Sequence, residues 1–356
     1  MSSGYQHTCI LDSTGKAYCA GLNKNGQLGH NAVGGLALYP VPVDGGLTFS
    51  SIVPSNLNTC AIATDGKAYC WGWGGYGELG TGVRMMRMDT PQLVVGNHTW
   101  KQLGARGFGF CGITTSGDMY CWGNADGGQT GTGPNTPSYV LSLMLVAGGH
   151  KWASLSTTPN SAHMCGITTA GIAMCWGSNS HGQLGVDASS VNKVKGSNVP
   201  IAVNTTETFT SISHGFYTTC GVTTAGKAMC WGYGAVGDGN WPRAQDTPVA
   251  VNSNLTFVSI SSGYVFNCGL TTTGEAYCWG DNAYGQLGDG TQTMRLSPVA
   301  VQTTKRFTAL SLGHYHSCGL TTDSTVMCWG YNSKAQHGTG GWTWAFTPVE
   351  AMLPTP

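Results

Sequence analysis

Cys268-Gly-Leu-Thr-Thr-Thr-Gly-Glu-Ala-Tyr-Cys278-Trp-Gly-Asp-Asn-Ala-Tyr-Gly-Gln-Leu-Gly288 holds two cysteines with nine residues between them, among these a Thr-Gly turn, and Trp-Gly directly after the second. The same spacing recurs in Cys9 and Cys19, Cys60 and Cys70, Cys111 and Cys121, Cys165 and Cys175, Cys220 and Cys230, and Cys318 and Cys328. All fourteen cysteines of the 356-residue chain therefore fall into seven like pairs, with first members 48 to 55 residues apart. A period of this length marks a solenoid, a propeller or an array. Each copy begins with an apolar stretch such as Phe257–Gly263 or Phe307–Gly313, continues through the cysteine hairpin and a Gly-rich loop, and closes on Pro-Val-Ala-Val, as at Pro248 to Val251 and Pro298 to Val301. The apolar runs are four to seven residues long and bounded by Gly, Pro, Asn or Thr, and none keeps a 3.6-residue period. Those are strand signals. Four short strands in each of seven units predict an all-β, seven-bladed propeller filling residues 1–356 as one domain.

The turn sets the register of each hairpin. A three-residue loop Ser13-Thr14-Gly15 puts glycine at the left-handed position of a bulge turn. Residue 12 then faces 16, and Cys9 faces Cys19. With 12 and 16 as the hydrogen-bonded closing pair, alternation makes the cysteines a non-hydrogen-bonded pair, where side chains approach most closely. One disulfide per hairpin is expected. The readings set against it are free core thiols and a metal, and zinc sites want shorter Cys-x2-4-Cys pairs with further ligands. Disulfides persist in oxidising compartments, which points to an extracellular or cell-surface location. Gly66, Gly117, Gly171, Gly226 and Gly274 repeat the turn, and Ser324 replaces glycine in the seventh copy.

The chain ends bear on closure of the ring. Pro348-Val-Glu-Ala351 matches Pro298-Val-Ala-Val301, which sets Pro356 opposite Arg306, and Met1-Ser-Ser-Gly4 matches Leu310-Ser-Leu-Gly313. The expectation is that the C-terminal strand completes the blade begun by the N-terminal hairpin, since an open sheet edge is a liability. Met1 stands at a strand position, which fits a segment of a longer protein as well as an ordinary initiator.

Net charge is zero, and only 9% of residues are charged, against about 25% in typical soluble domains. No basic stripe is present to neutralise phosphates, which argues against a nucleic-acid partner. No apolar run approaches the length of a membrane span, so direct membrane insertion of this segment is not expected. No His/Cys/Asp/Glu set has metal-ligand or catalytic spacing, so no catalytic residue, metal or cofactor is assigned. Gly72-Trp-Gly-Gly-Tyr-Gly77 and Gly232-Tyr-Gly-Ala-Val-Gly237 satisfy Gly-x-Gly-x-x-Gly, but a dinucleotide site needs a helix after it. With 55 glycines in the chain, coincidence is the better account.

The pattern Cys-Gly-[Leu/Ile]-Thr-Thr…Cys-Trp-Gly-x-Asn-x-x-Gly-Gln-Leu-Gly resembles the regulator of chromosome condensation repeat. Gly26-Gln-Leu-Gly29, Gly182-Gln-Leu-Gly185 and Gly285-Gln-Leu-Gly288 are complete copies of its loop motif. Gly77-Glu-Leu-Gly80, Gly128-Gln-Thr-Gly131 and Ala335-Gln-His-Gly338 are variants, and the fifth copy has lost it. Ala20 replaces the tryptophan kept at 71, 122, 176, 231, 279 and 329. The resemblance implies a seven-bladed propeller used as a recognition surface. In character the chain is closest to secreted, cysteine-paired propellers such as β-lactamase-inhibitor propellers and plant receptor-kinase ectodomains.

The repeating tryptophans read as packing between blades, with an indole N–H in want of a partner. Aromatics that do not repeat are the candidate binding residues. Trp73, Tyr76, Tyr233, Trp241, Tyr284, Tyr331, Trp342 and Trp344 lie in or beside the loop after the third strand. Tyr264 and Tyr315, with Tyr5, Trp152, Phe216 and Tyr217, lie near the loop before the first cysteine strand. An antiparallel four-stranded blade puts both loop classes on one face. Three sequons, at Asn97, Asn204 and Asn254, fall in the connections between blades, on the opposite face, as possible glycosylation sites. The function this predicts is a non-enzymatic extracellular recognition or structural module. It would bind protein, glycan or copies of itself through the aromatic face. The alternatives are a secreted enzyme inhibitor and an enzyme with its site in the central channel.

Overall fold

The computed structural model describes residues 1–31, 34–159, 161–186 and 195–352. Its strands form seven four-stranded antiparallel sheets, each built from consecutive strands. Blade 1 comprises Ser2–Ser3, His7–Leu11, Ala17–Leu22 and Leu36–Pro42; blade 6 comprises Phe257–Ser262, Phe266–Thr271, Ala276–Gly280 and Arg295–Ala300; blade 7 comprises Phe307–Leu312, His316–Thr321, Val326–Gly330 and Ala345–Glu350. Blades 2 to 5 fill the chain between. The first strand of each blade faces the centre, and the fourth is the half-exposed outer one.

Each hairpin has the register its turn dictates. The Asp12 N–H donates to the Lys16 carbonyl at 3.0 Å, and Cys9 lies opposite Cys19. Gly15 takes a φ of 84°. All seven cysteine pairs are disulfide-bonded within their hairpins, as the spacing predicts. Cys9 is bonded to Cys19, Cys60 to Cys70, Cys111 to Cys121, Cys165 to Cys175, Cys220 to Cys230, Cys268 to Cys278 and Cys318 to Cys328. Their Cα atoms are 4.0 to 4.1 Å apart, the close spacing of a non-hydrogen-bonded pair. Ser324, which lacks glycine's freedom, still holds the turn at a φ of 65°. Non-reducing peptide mapping is expected to return seven within-hairpin cystines and none between blades. Free thiols at most of these positions would overturn the bonding.

Directly after each second cysteine the register against the fourth strand slips, as between Cys278 and Gly280 and between Cys121 and Gly123. A bulge of this kind re-aims a side chain, and here it aims the repeat tryptophan. Trp71, Trp122, Trp176, Trp231, Trp279 and Trp329 are fully buried. Five of them donate the indole N–H to the backbone carbonyl of the loop residue before Leu or Thr in the preceding blade. The bonds are Trp71 to Gln27 at 3.1 Å, Trp122 to Glu78 at 2.9 Å, Trp176 to Gln129 at 3.0 Å, Trp231 to Gln183 at 3.0 Å and Trp329 to Gln286 at 2.9 Å. The loop motif and the tryptophan are thus two halves of one inter-blade staple.

Two seams lack it. Between blades 5 and 6, Trp279 is present but its indole N–H has no partner, and neither side-chain atom of the buried Asn267 opposite it has one. The fifth loop is three residues shorter between cysteine and final glycine than the first, so Ala235 does not deliver a carbonyl there. Between blades 7 and 1, the loop glycine Gly338 meets Pro40 and Ala20, where Gly29, Gly185 and Gly288 meet an indole.

That second seam is also where the ring closes, and closure differs from the sequence expectation. Among the described residues, no blade is shared by the two chain ends. Ser2 and Ser3 pair with Cys9 and Thr8 of their own blade, and Val349 and Glu350 pair with Cys328 and Met327 of theirs. The residues before Gly4 already supply a first strand, although only two residues long, so the C-terminal strand completes its own sheet. The seam is held by side-by-side packing and by bonds from the Ser3 N–H to Ser311 Oγ at 2.8 Å and between Thr8 Oγ1 and His316 Nε2 at 3.1 Å. Pro356 lies outside the described residues.

Candidate functional site

The first strand of each blade brings its end, and the loop after it, to one face. In blades 5, 6, 7 and 1 that strand is followed by a glycine, and the residue after the glycine carries a ring: Phe216, Tyr264, His314 and Tyr5. These four form a row around the inner rim, with centroids 4.7 Å apart for Phe216 and Tyr264, 4.1 Å for Tyr264 and His314, and 4.2 Å for His314 and Tyr5. Backbone bonds link the row from blade to blade: Phe216 N–H to the Tyr264 carbonyl at 3.1 Å and Tyr264 N–H to the His314 carbonyl at 3.3 Å. In blade 2 the same position is Asn56 and in blade 3 it is Gly107, so the row covers one side of the ring.

The loops after the third strands add an outer row. Tyr284 lies 4.9 Å from Tyr315, 5.0 Å from Tyr331 and 5.1 Å from Trp344. At the other end, His181 lies 4.2 Å from Tyr217 and 5.6 Å from Tyr233. Through Phe216 and Tyr217 the two groups join into one aromatic arc over blades 4 to 7 and 1. Contact between loops of the two classes places both on one face, as the blade topology requires.

The arc gathers six of the ten candidate residues: Tyr233, Tyr264, Tyr284, Tyr315, Tyr331 and Trp344. Tyr76 belongs to a separate cluster on blades 2 and 3, stacked on Tyr139 at 5.1 Å and edge-on to Phe108 at 5.7 Å, with Arg84 over the Tyr139 ring. Trp73 is half-buried in its strand opposite Arg87. Trp241 and Trp342 are 76% and 58% exposed and share no ring contact among the described residues. Trp152 does not belong to a loop; it opens the first strand of blade 4 and is buried on Trp176, at the position where other blades carry Phe49, Phe209, Phe257 or Phe307. His314 and His181 were not among the candidates. The signal that finds His314 is its alignment with Tyr5, Phe216 and Tyr264, each directly after the glycine that follows the first strand.

Charge in and around the arc is sparse. Burial pushes the Tyr315 hydroxyl up to about 12, with neighbouring tyrosines and the Asp281 carboxylate acting the same way. Burial likewise raises Tyr5 and Tyr264, helped by nearby tyrosines. Burial lowers His314 to about 4 and keeps it neutral at pH 7. The surface therefore resists acquiring negative charge.

The central channel offers a different chemistry. Ser3, Ser154, Thr210, Ser211, Ser261 and Ser311 are typical of its wall, which carries no charged side chain among the described residues. Thr158 crosses near it, donating its N–H to Ala105 at 3.0 Å and its hydroxyl to Ser262 at 3.3 Å. Among the described residues Glu78 is the buried acidic side chain and Arg106, apart from the histidines, the buried basic one. Burial raises Glu78 to about 7 and lowers Arg106 to about 9. Glu78 takes the place of the loop glutamine, its Oε2 accepts the Tyr76 N–H at 2.8 Å, and it is fully enclosed. It has the chemistry of an acid–base residue without a path for substrate.

The fold is that of an RCC1-type propeller, and the sequence agrees. Residues 273–320 match the regulator of chromosome condensation (RCC1) repeat, as do 1–27, 55–78, 160–183, 257–286 and 307–336 in a second description of the same repeat. RCC1-repeat matches thus recur along the chain from its first residues to residue 336. It is similar to the human E3 ubiquitin-protein ligase HERC2, 28% identical over 210 residues that cover 56% of this chain and 4% of the ligase. It is also similar to the ultraviolet-B receptor UVR8 of Arabidopsis thaliana, 28% identical over 240 residues covering 67% of this chain and 53% of the receptor. The chain thus spans a small part of one relative and about half of the other.

Among solved structures it resembles yeast RCC1 (Prp20) bound to Kap60, with a TM-score of 0.81 and 17% identity over 98% of this chain and 85% of that one. It also resembles the ectodomain of the Arabidopsis thaliana receptor kinase ACR4, with a TM-score of 0.58 and 18% identity over 93% and 95%. At these identities the likeness speaks for the fold.

Proposed function

We propose that this protein is an extracellular, non-enzymatic recognition module that binds a partner protein through the aromatic arc. The observation that carries the reading is the continuity of the arc: rings from five blades in contact on one face, tied along the inner rim by backbone bonds. Rigid aromatic anchors are what protein hot spots are made of, and a surface held in place before binding loses less entropy on association. Seven cystines favour an oxidising compartment. The sequon residues Asn97, Asn204 and Asn254 are exposed and lie in connections between blades, so glycans there would leave the arc free. That yeast RCC1 is described bound to Kap60 lends the protein-binding reading an example on the same fold. A glycan ligand and self-association are the other readings.

The test is to probe peptide and glycan arrays with the wild-type protein and with Tyr264→Ala and Tyr284→Ala variants, and to measure self-association by sedimentation. Loss of one anchor is expected to cost about 2 kcal/mol, about a thirtyfold weakening, with the melting temperature nearly unchanged. Trp241→Ala and Trp342→Ala, outside the arc, are expected to leave binding within twofold. Binding that survives the arc variants but is lost with Trp241 or Trp342 would move the site. Glycan capture alone, or concentration-dependent assembly alone, would replace a protein partner with that ligand.

A further inference from the structure

Within the arc, Tyr5, Gln6, Tyr284, His314, Tyr315 and Tyr331 enclose a cavity of about 80 Å³ where blades 6, 7 and 1 meet. Its walls are ring faces and edges set at steep angles to one another. Tyr315 is inclined 89° to His314, 50° to Tyr284 and 74° to Tyr331, and Tyr284 is inclined 66° to Tyr331. A flat stacking platform would need near-parallel rings, and these form a box. We propose that this box is a cation cage that takes one alkylammonium group, presented by a lysine side chain of the partner.

The argument is electrostatic and steric. A ring face carries partial negative charge, so a compact cation enclosed by several rings is attracted to all of them. The lining contains four tyrosines and no lysine or arginine, so no resident cation competes. His314 is neutral at pH 7 because burial holds it at about 4. The Asp281 carboxylate, which accepts a bond from Gln286 Nε2 at 2.7 Å, adds negative charge felt at Tyr315. Burial is the larger cause of the raised Tyr315 value and disfavours charge of either sign, while the Asp281 carboxylate favours a cation over an anion. A neutral sugar can hydrogen-bond Gln6 and the tyrosine hydroxyls, but it gains nothing from the negative potential of the ring faces.

The inference rests on the arc being the binding surface, and it is tested separately with small probes. Choline and its neutral isostere 3,3-dimethylbutan-1-ol are titrated against the intact protein, with chemical shifts of the tyrosine rings as readout. Choline is expected to bind about tenfold more tightly than the isostere, and Nα-acetyl-lysine methylamide to compete with it. Tyr331→Ala is expected to abolish choline binding, Tyr331→Phe to retain it within about threefold, and Tyr76→Ala, in the separate cluster, to leave it unchanged. Equal affinity for the isostere, or no shift with choline at millimolar concentration, would overturn the cage. So would competition by a neutral sugar with none by the lysine derivative. Those outcomes would leave partner binding by the wider arc untouched. Loss of partner binding in the arc variants is scored independently of choline.

Discussion

The melting temperature is expected to fall steeply as pH drops from 6.5 to 4.5. His7, His163, His214, His314, His316 and His337 are all buried. Burial holds His7, His163 and His337 near 3 and His314 near 4, and pushes His214 and His316 well below the ordinary value. Their folded-state pKa values are therefore depressed for a base, and the folded state keeps them neutral. The unfolded chain protonates them below about 6.5. Unfolding then takes up protons, so the stability these groups contribute is whole above pH 6.5 and is lost as pH falls toward 3–4. Glu78 works in the opposite sense, because its raised pKa of about 7 lets the folded state take a proton first. The net is about five protons, a ceiling of about 7 kcal/mol per pH unit. A third of that rate over two units removes about 4–5 kcal/mol, comparable to the whole stability of many domains.

The geometry says which histidines matter. His7 and His163 stand two residues before a cysteine, and each bonds through Nε2 to a threonine of the next blade, Thr59 at 2.9 Å and Thr219 at 2.8 Å. Protonating either puts a charge into a blade interface. Scanning calorimetry from pH 7 to 4.5 checks this. The window lies above the ordinary carboxylate range, and a His7→Asn, His163→Asn double variant should flatten the profile. A melting temperature unchanged across the window would sink the account.

The architecture was legible because the cysteine hairpin repeats with its turn. Residue spacing within a hairpin is local, so Gly15 and Gly274 sufficed to set the register of cysteines that lie opposite each other. The packing role of the tryptophans was legible for the same reason. What could not be read was their acceptor: the Gly-Gln-Leu-Gly loop contributes the backbone carbonyl of glutamine, and a backbone atom leaves no signature in side-chain identity. Closure went wrong because sequence alignment gives the phase of the repeat but not which sheet a terminal strand joins. For the binding face, alternation gave the correct side of the ring and left the position around it open. Trp241 and Trp342 were attractive for size, yet they have no ring neighbours among the described residues. Tyr264 and Tyr284 join because adjacent blades place equivalent loops within about 5 Å.

Replacing Trp122 or Trp329 by alanine is expected to cost about 3–5 kcal/mol, since each fills a fully buried interface between blades. Conservative substitutions separate packing from hydrogen bonding. Trp→Phe at 71, 122, 176, 231 or 329 removes ring volume and also an indole bond to a loop carbonyl, worth about 1 kcal/mol. Trp279→Phe removes volume alone, because the Trp279 N–H has no partner and its loss relieves a buried orphan. The Phe variant at 279 should therefore be the mildest of the six. In Trp231→Phe the Gln183 carbonyl keeps its bond from Thr219 Oγ1 at 2.8 Å, so the comparison between 231 and 279 is not inflated by a stranded acceptor. Chemical denaturation of both variants should differ by about 1 kcal/mol. The same reasoning makes the seams between blades 5 and 6 and between blades 7 and 1 the places where the ring opens first. Amide exchange should be faster along Phe266–Thr271 and His7–Leu11 than along Asn58–Ala63, whose seam is stapled by Trp71 and Gln27. Six equal Phe variants, or a Trp279→Phe variant that is the most damaging, would show that the indole bonds do not hold the blades together.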